Sequence, residues 1–175
     1  MDERSVTRTL DTLLYLNEMT VRLYDDAAAR VSDDVSNHLA EYRDDHQRHA
    51  ERLREIARKK GRQPEEPAED TKALATGYAQ LVRNATGEDA VMEALLVAAR
   101  TNSALYETAE GLDLGHDALE IIAEQHADER RHVEYITQHA PQYASVSSGP
   151  RPGGEEAISC LTGGLTDDRS PDDFE

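Results

Sequence analysis

Apolar residues recur at alternating gaps of four and three along four stretches of the chain, and each stripe turns polar near its middle. That beat is the seam of an amphipathic helix packed in a bundle. The first stretch, about 7–30, carries Leu10, Leu14, Asn17, Val21, Tyr24, Ala28 and Val31. The second follows Ser32, a good N-cap, and keeps the beat through Val35, Leu39, Tyr42, His46, His49, Leu53 and Ile56 until Gly61. The third shows Val91, Leu95, Ala98, Asn102, Leu105, Ala109 and Leu112. The fourth, about 116–139, shows Leu119, Ile122, His126, Glu129, Val133 and Ile136 before Pro141 ends it.

Between the second and third stretches lies an acidic linker with Pro64 and Pro67, then a shorter helical segment over 71–84. Thr86 with Asp89 three residues on resembles a capping box for the third long helix. No run alternates as a strand would. The expected fold is therefore all-α: an antiparallel four-helix bundle over residues 1–141, with a short extra helix in the crossover from helix two to helix three. Residues 142–175 are rich in Ser, Gly, Pro and Asp and read as a disordered tail.

The interruptions are Asn17 and Glu18, His46 and His49, Asn102, and Glu129 and His132, one set per helix at about the same height. A single polar residue in a seam can be a register device. Four at one level predict a buried site. The second and fourth helices also align without gaps at an offset of 83, so that Ala40, Glu41, Asp45, Arg48 and His49 match Ala123, Glu124, Asp128, Arg131 and His132. Leu23-Tyr24-Asp25 and Leu105-Tyr106-Glu107 repeat at 82. Two hairpins related by a pseudo-twofold are expected, with their midpoints meeting.

Residues three apart lie on one helix face, so His46 with His49, and Glu129 with His132, can approach one centre. Imidazole mixed with carboxylate suits iron, manganese or zinc, whereas an all-oxygen set would suit calcium or magnesium. The expected ligands are Glu18, His46, His49, Glu129 and His132. Tyr24 and Tyr106 fall near the same zone, His126 reads as an edge residue of its stripe, and Asp25, Asp45, Glu107 and Asp128 read as solvated or as lying behind the ligands. The competing expectation is a metal-free structural, stress or interaction module whose core holds a buried Arg100–Glu129 pair.

The formal charge of −17 argues against nucleic acid or an anionic membrane as partner. Cys160 is the single cysteine, which excludes an intramolecular disulfide and a cysteine-based zinc site. The N-terminus lacks a basic segment followed by an apolar one, and the longest apolar run, 94–99, is too short to span a bilayer. A cytoplasmic location is expected.

Glu129-x-x-His132 on the last helix with Glu18 on the first resembles the pattern of ferritin-like di-iron bundles. The span from about Leu10 to Gln138 is similar to an uncharacterised bacterial ferritin-like family, through Leu16-Asn17-Glu18, His49-Ala50-Glu51, Gly77-Tyr78 and Tyr106-Glu107. The resemblance implies a ferritin-like fold that binds non-haem metal, iron first and manganese or zinc second, and buffers it or oxidises ferrous iron. Two departures change the picture. His46-x-x-His49 stands where the di-iron pattern has Glu-x-x-His, and Arg100, Thr101 and Asn102 stand where a carboxylate would be. One metal per chain, or a site completed across a homodimer, is the expectation. Within 158–165, Leu161-Thr162-Gly163-Gly164-Leu165 resembles the docking peptides by which ferritin-like cargo enters encapsulin shells, one residue short and with Gly for the usual Ser; a chance apolar island is the alternative.

Overall fold

The computed structural model describes residues 3–140. The expected tail and the docking segment within it, 158–165, lie outside the described residues. Five helices follow one another: α1 (Glu3–Ala28), α2 (Asp33–Lys59), α3 (Glu69–Asn84), α4 (Glu88–Glu110) and α5 (His116–His139). Among the described residues there is no strand. No helix among them is long and apolar enough to cross a membrane.

The ends of the helices follow local chemistry. Gly61 adopts φ 69°, the left-handed conformation that closes α2. The Gly61 amide donates to the Arg58 carbonyl at 3.0 Å and the Arg62 amide to the Ala57 carbonyl at 3.2 Å, the paired bonds of a Schellman ending. Ser32 stands at the N-cap of α2, but its hydroxyl makes no capping bond. Its backbone N–H instead donates to Glu88 Oε2 at 2.5 Å, which ties the α1–α2 turn to the start of α4. The expected Thr86/Asp89 capping box does not form. Gly87 takes the N-cap position with φ 87°, so the chain enters α4 one residue later, through a conformation that Thr would resist.

Cross-helix contacts give the directions. Arg43–Asp25, Arg54–Glu18 and Arg62–Asp11 run in opposite senses along α1 and α2, so these two helices are antiparallel. Tyr106 with Gln125 and Ser103 with His126 place α4 antiparallel to α5. The hairpins then meet, α1 against α4 through Asn17–Tyr106 and Thr20–Asn102, and α2 against α5 through Asp45–His132 and His49–Asp128. α3 lies against α1 and α4. Arg30 donates to the Val82 and Ala85 carbonyls at 2.6 and 2.8 Å, satisfying backbone acceptors that the end of α3 leaves open.

The core is divided in two. One apolar cluster joins Val6 to Leu16 of α1, Leu53 and Ile56 of α2, Leu105 of α4 and Ile122 of α5. The other joins Leu23 and Tyr24, Leu39, Val91 to Ala99, and Ile136. On every long helix the gap between the clusters falls on the polar residues singled out above. A slab of buried polar groups therefore crosses the bundle between two apolar halves.

Candidate metal centre

Asn17, His46, His49, Asn102, Gln125, Glu129 and His132 are all buried at this level. Asn17 fixes the first imidazole. Its amide nitrogen donates to the Leu13 carbonyl at 2.7 Å and to the Tyr106 hydroxyl at 2.8 Å, so its oxygen must face His46 Nδ1, 2.8 Å away. A carbonyl can only accept, and the Leu13 contact therefore settles which end of the amide is which. His46 Nδ1 carries the proton and Nε2 the lone pair. Burial pushes His46 down to about 4, with Glu129 opposing and His132 and His49 adding to the shift, so the ring is neutral near pH 7.

The other two imidazoles are set by carboxylates. His49 Nε2 lies 3.1 Å from Asp128 Oδ2, and His132 Nε2 lies 2.9 Å from Asp45 Oδ2. A carboxylate accepts, so each Nε2 bears a proton, and in the neutral ring each Nδ1 turns its lone pair inward. Asp45, held by His132 and Arg48 against the effect of its burial, sits down at about 2. Asp128 is likewise lowered, by His49 and Arg131 working against burial.

Glu129 stands among the three rings. Its Oε1 is 3.4 Å from His46 Nδ1 and 3.6 Å from His49 Nδ1, beyond a good hydrogen bond. Burial opposes its charge, but His46, His132 and His49 outweigh burial and hold the carboxyl below its ordinary range. Ligand atoms of His46, Glu129 and His132 all lie within 4.8 Å of one another.

Eight buried side-chain N or O atoms among the described residues have no hydrogen-bond partner, and five of them belong to this cluster: His46 Nε2, His49 Nδ1, His132 Nδ1 and both oxygens of Glu129. With the three rings neutral, all five are acceptors. Buried polar groups are nearly always paired. A buried group of acceptors short of donors is satisfied by a cation or by a proton.

Of the five expected ligands, His46, Glu129 and His132 come together, His49 approaches Glu129 Oε1 at 3.6 Å, and Glu18 turns away. One residue along an α-helix is a rotation of about 100°, so the turn that aims Asn17 inward sends Glu18 outward. There its Oε1 pairs with Arg54 at 2.6 Å, both side chains part-exposed. The Arg100–Glu129 pair is also absent: Arg100 is exposed, while Glu129 is fully buried. Asn102 is a register contact, its amide donating to Thr20 Oγ1 at 3.1 Å. His126 sits at the edge, 3.0 Å from Glu110. Tyr24 packs on His46 with ring centres 5.3 Å apart. Gln125 was not legible in the sequence. It accepts from Tyr106 and donates to the His49 carbonyl at 3.3 Å, and its one signal is the repeat, which sets it opposite Tyr42.

No protein-family model, curated protein or solved structure matches this chain.

Proposed function

We propose that this protein is a ferritin-like bundle that binds one non-haem transition-metal ion per chain, ferrous iron before manganese or zinc, at His46, His49, Glu129 and His132. The observation that carries the proposal is five unpartnered buried side-chain atoms on these four residues, three of which, His46, Glu129 and His132, offer ligand atoms within 4.8 Å of one another. The outer nitrogens support it. Metal-binding histidines characteristically hand their second ring N–H to a carboxylate or carbonyl, and Asp45, Asp128 and Asn17 do this for all three rings.

The ferritin-like assignment rests on two antiparallel hairpins joined by one long crossover. A dinuclear site in such a bundle uses four carboxylates. This cluster has one, which favours a single ion. Ligand atoms of His46, Glu129 and His132 lie within 4.8 Å of one another, and ligands about 2.1 Å from a shared ion are at most roughly 4.2 Å apart, so these side chains would have only a short way to move on loading. Bound there, iron would supply Lewis acidity and one-electron chemistry. The chain's own contribution is to present lone pairs in fixed directions and to exclude water. Iron buffering follows directly from that arrangement, and ferrous oxidation would be its enzymatic extension.

The test is metal content per chain by mass spectrometry after anaerobic loading with ferrous, manganese or zinc ion and desalting. Wild type should retain about one ion, and thermal melting should rise on loading because binding adds to folding stability. A Glu129→Gln/His132→Ala variant should retain none and melt at the same temperature with or without metal. Equal metal content in the two proteins, or none in wild type, would overturn the reading.

A further inference from the structure

We infer that a cation reaches this centre through the recess over Asp45, and that Arg131 is the strap that closes it; the inference rests on the metal-binding reading above. Glu129, His46 and His132 are wholly buried, so an ion needs a route. A recess of about 500 Å³ is lined by Glu41, Tyr42, Asp44, Asp45, Arg48 and Arg131. Asp45, the most buried of its carboxylates, bonds directly to His132 Nε2. Another recess, between α1 and the 64–67 linker, is lined by no carboxylate that bonds a histidine of the cluster.

Arg131 spans both carboxylates that stand behind the histidines. One guanidinium nitrogen bonds Asp128 Oδ1, and the other lies 3.8 Å from Asp45 Oδ2, the oxygen that holds His132. Arg48 clips the second oxygen of Asp45 at 2.5 Å. Exposure falls in order along this line: 61% for the Arg131 side chain, 21% for Asp128, 13% for Asp45 and 0% for His132. The planar guanidinium can reach two carboxylates at once, which an ammonium does poorly. Glu41 and Asp44 at the rim would gather cations. Swinging Arg131 away would free Asp45 on one side and uncover the carboxylate that leads to His132.

The experiment follows anaerobic ferrous uptake, and release to a coloured ferrous chelator, by stopped flow. Wild type is compared with Arg131→Ala, Arg131→Lys and Arg52→Ala, the last a control whose partner, Glu124, lies outside the recess. Work at about 1 M salt, where the Debye length is about 3 Å, removes the simple charge effect on uptake. Arg131→Ala should speed uptake and release alike by about tenfold, the size of a lost charge-assisted contact, with equilibrium affinity unchanged. Arg131→Lys should fall between, and Arg52→Ala should match wild type. Faster release alone with weaker affinity would make Arg131 a positioning residue and sink the strap, as would unchanged rates. Failure of wild type to hold ferrous ion would overturn the metal reading itself, and this inference with it.

Discussion

Asn17 decides which nitrogen of His46 is available. Its amide is locked by a carbonyl on one side and a tyrosine on the other, so its oxygen can only receive the His46 N–H. Removing that amide leaves His46 Nδ1 without its acceptor and frees the imidazole to change tautomer. Asn17→Ala should therefore lower the unfolding free energy by on the order of 2 kcal/mol, the scale of a buried group left unsatisfied. It should also weaken metal binding by roughly tenfold or more, as the loss of an orienting partner does. Urea unfolding and chelator competition would check the two effects separately. Unchanged metal affinity would mean that the ring is held by packing alone.

At the scale of elements, α2 and α5 hold each other's histidines. Asp45 on α2 orients His132 on α5, and Asp128 on α5 orients His49 on α2. Each helix is thus incomplete without the other. Asp45→Asn and Asp128→Asn should each lower metal affinity by about ten- to a hundredfold, and the two losses should agree within a few-fold. A large loss from one and none from the other, read by the same competition, would show that only one histidine carries the ion. The level of this layer was legible in the sequence because a heptad seam tolerates few polar residues, and the offset of 83 placed the two helices in register. The inward set was not fully legible. Asn17 and Glu18 are neighbours at the same height, and only the packing of α1 against α2, α3 and α4 selects between them. The hairpins could be read from the periodicity. The joints made by Arg30 and Glu88 could not, because they bridge residues more than fifty positions apart.

For the whole molecule, a neutral buried imidazole makes stability depend on pH. An unfolded histidine titrates near 6.5, whereas His46 in the fold is pushed down to about 4. Between those values the unfolded chain binds the extra proton, so stability is complete above the window and falls as the pH drops through it. The loss from this one group is on the order of 3 kcal/mol. Metal-free protein unfolded by urea at a series of pH values should show that decline. His46→Gln, which cannot take up the proton, should flatten it, and an equal slope in that variant would place the acid sensitivity elsewhere.

The doubled hairpin also bears on oxidation state. The repeat sets position 46 opposite 129 and position 49 opposite 132, yet the first of these pairs holds one imidazole and one carboxylate. A strict copy would place two rings or two carboxylates there, making the inward set neutral or doubly negative. The single exchange leaves it singly negative. A divalent ion would then keep one uncancelled positive charge and a trivalent ion two, in an interior that solvates charge poorly. Compared with a doubly negative set, this ligand set would hold the reduced ion more firmly and raise its reduction potential, so iron bound there would be biased toward the ferrous state.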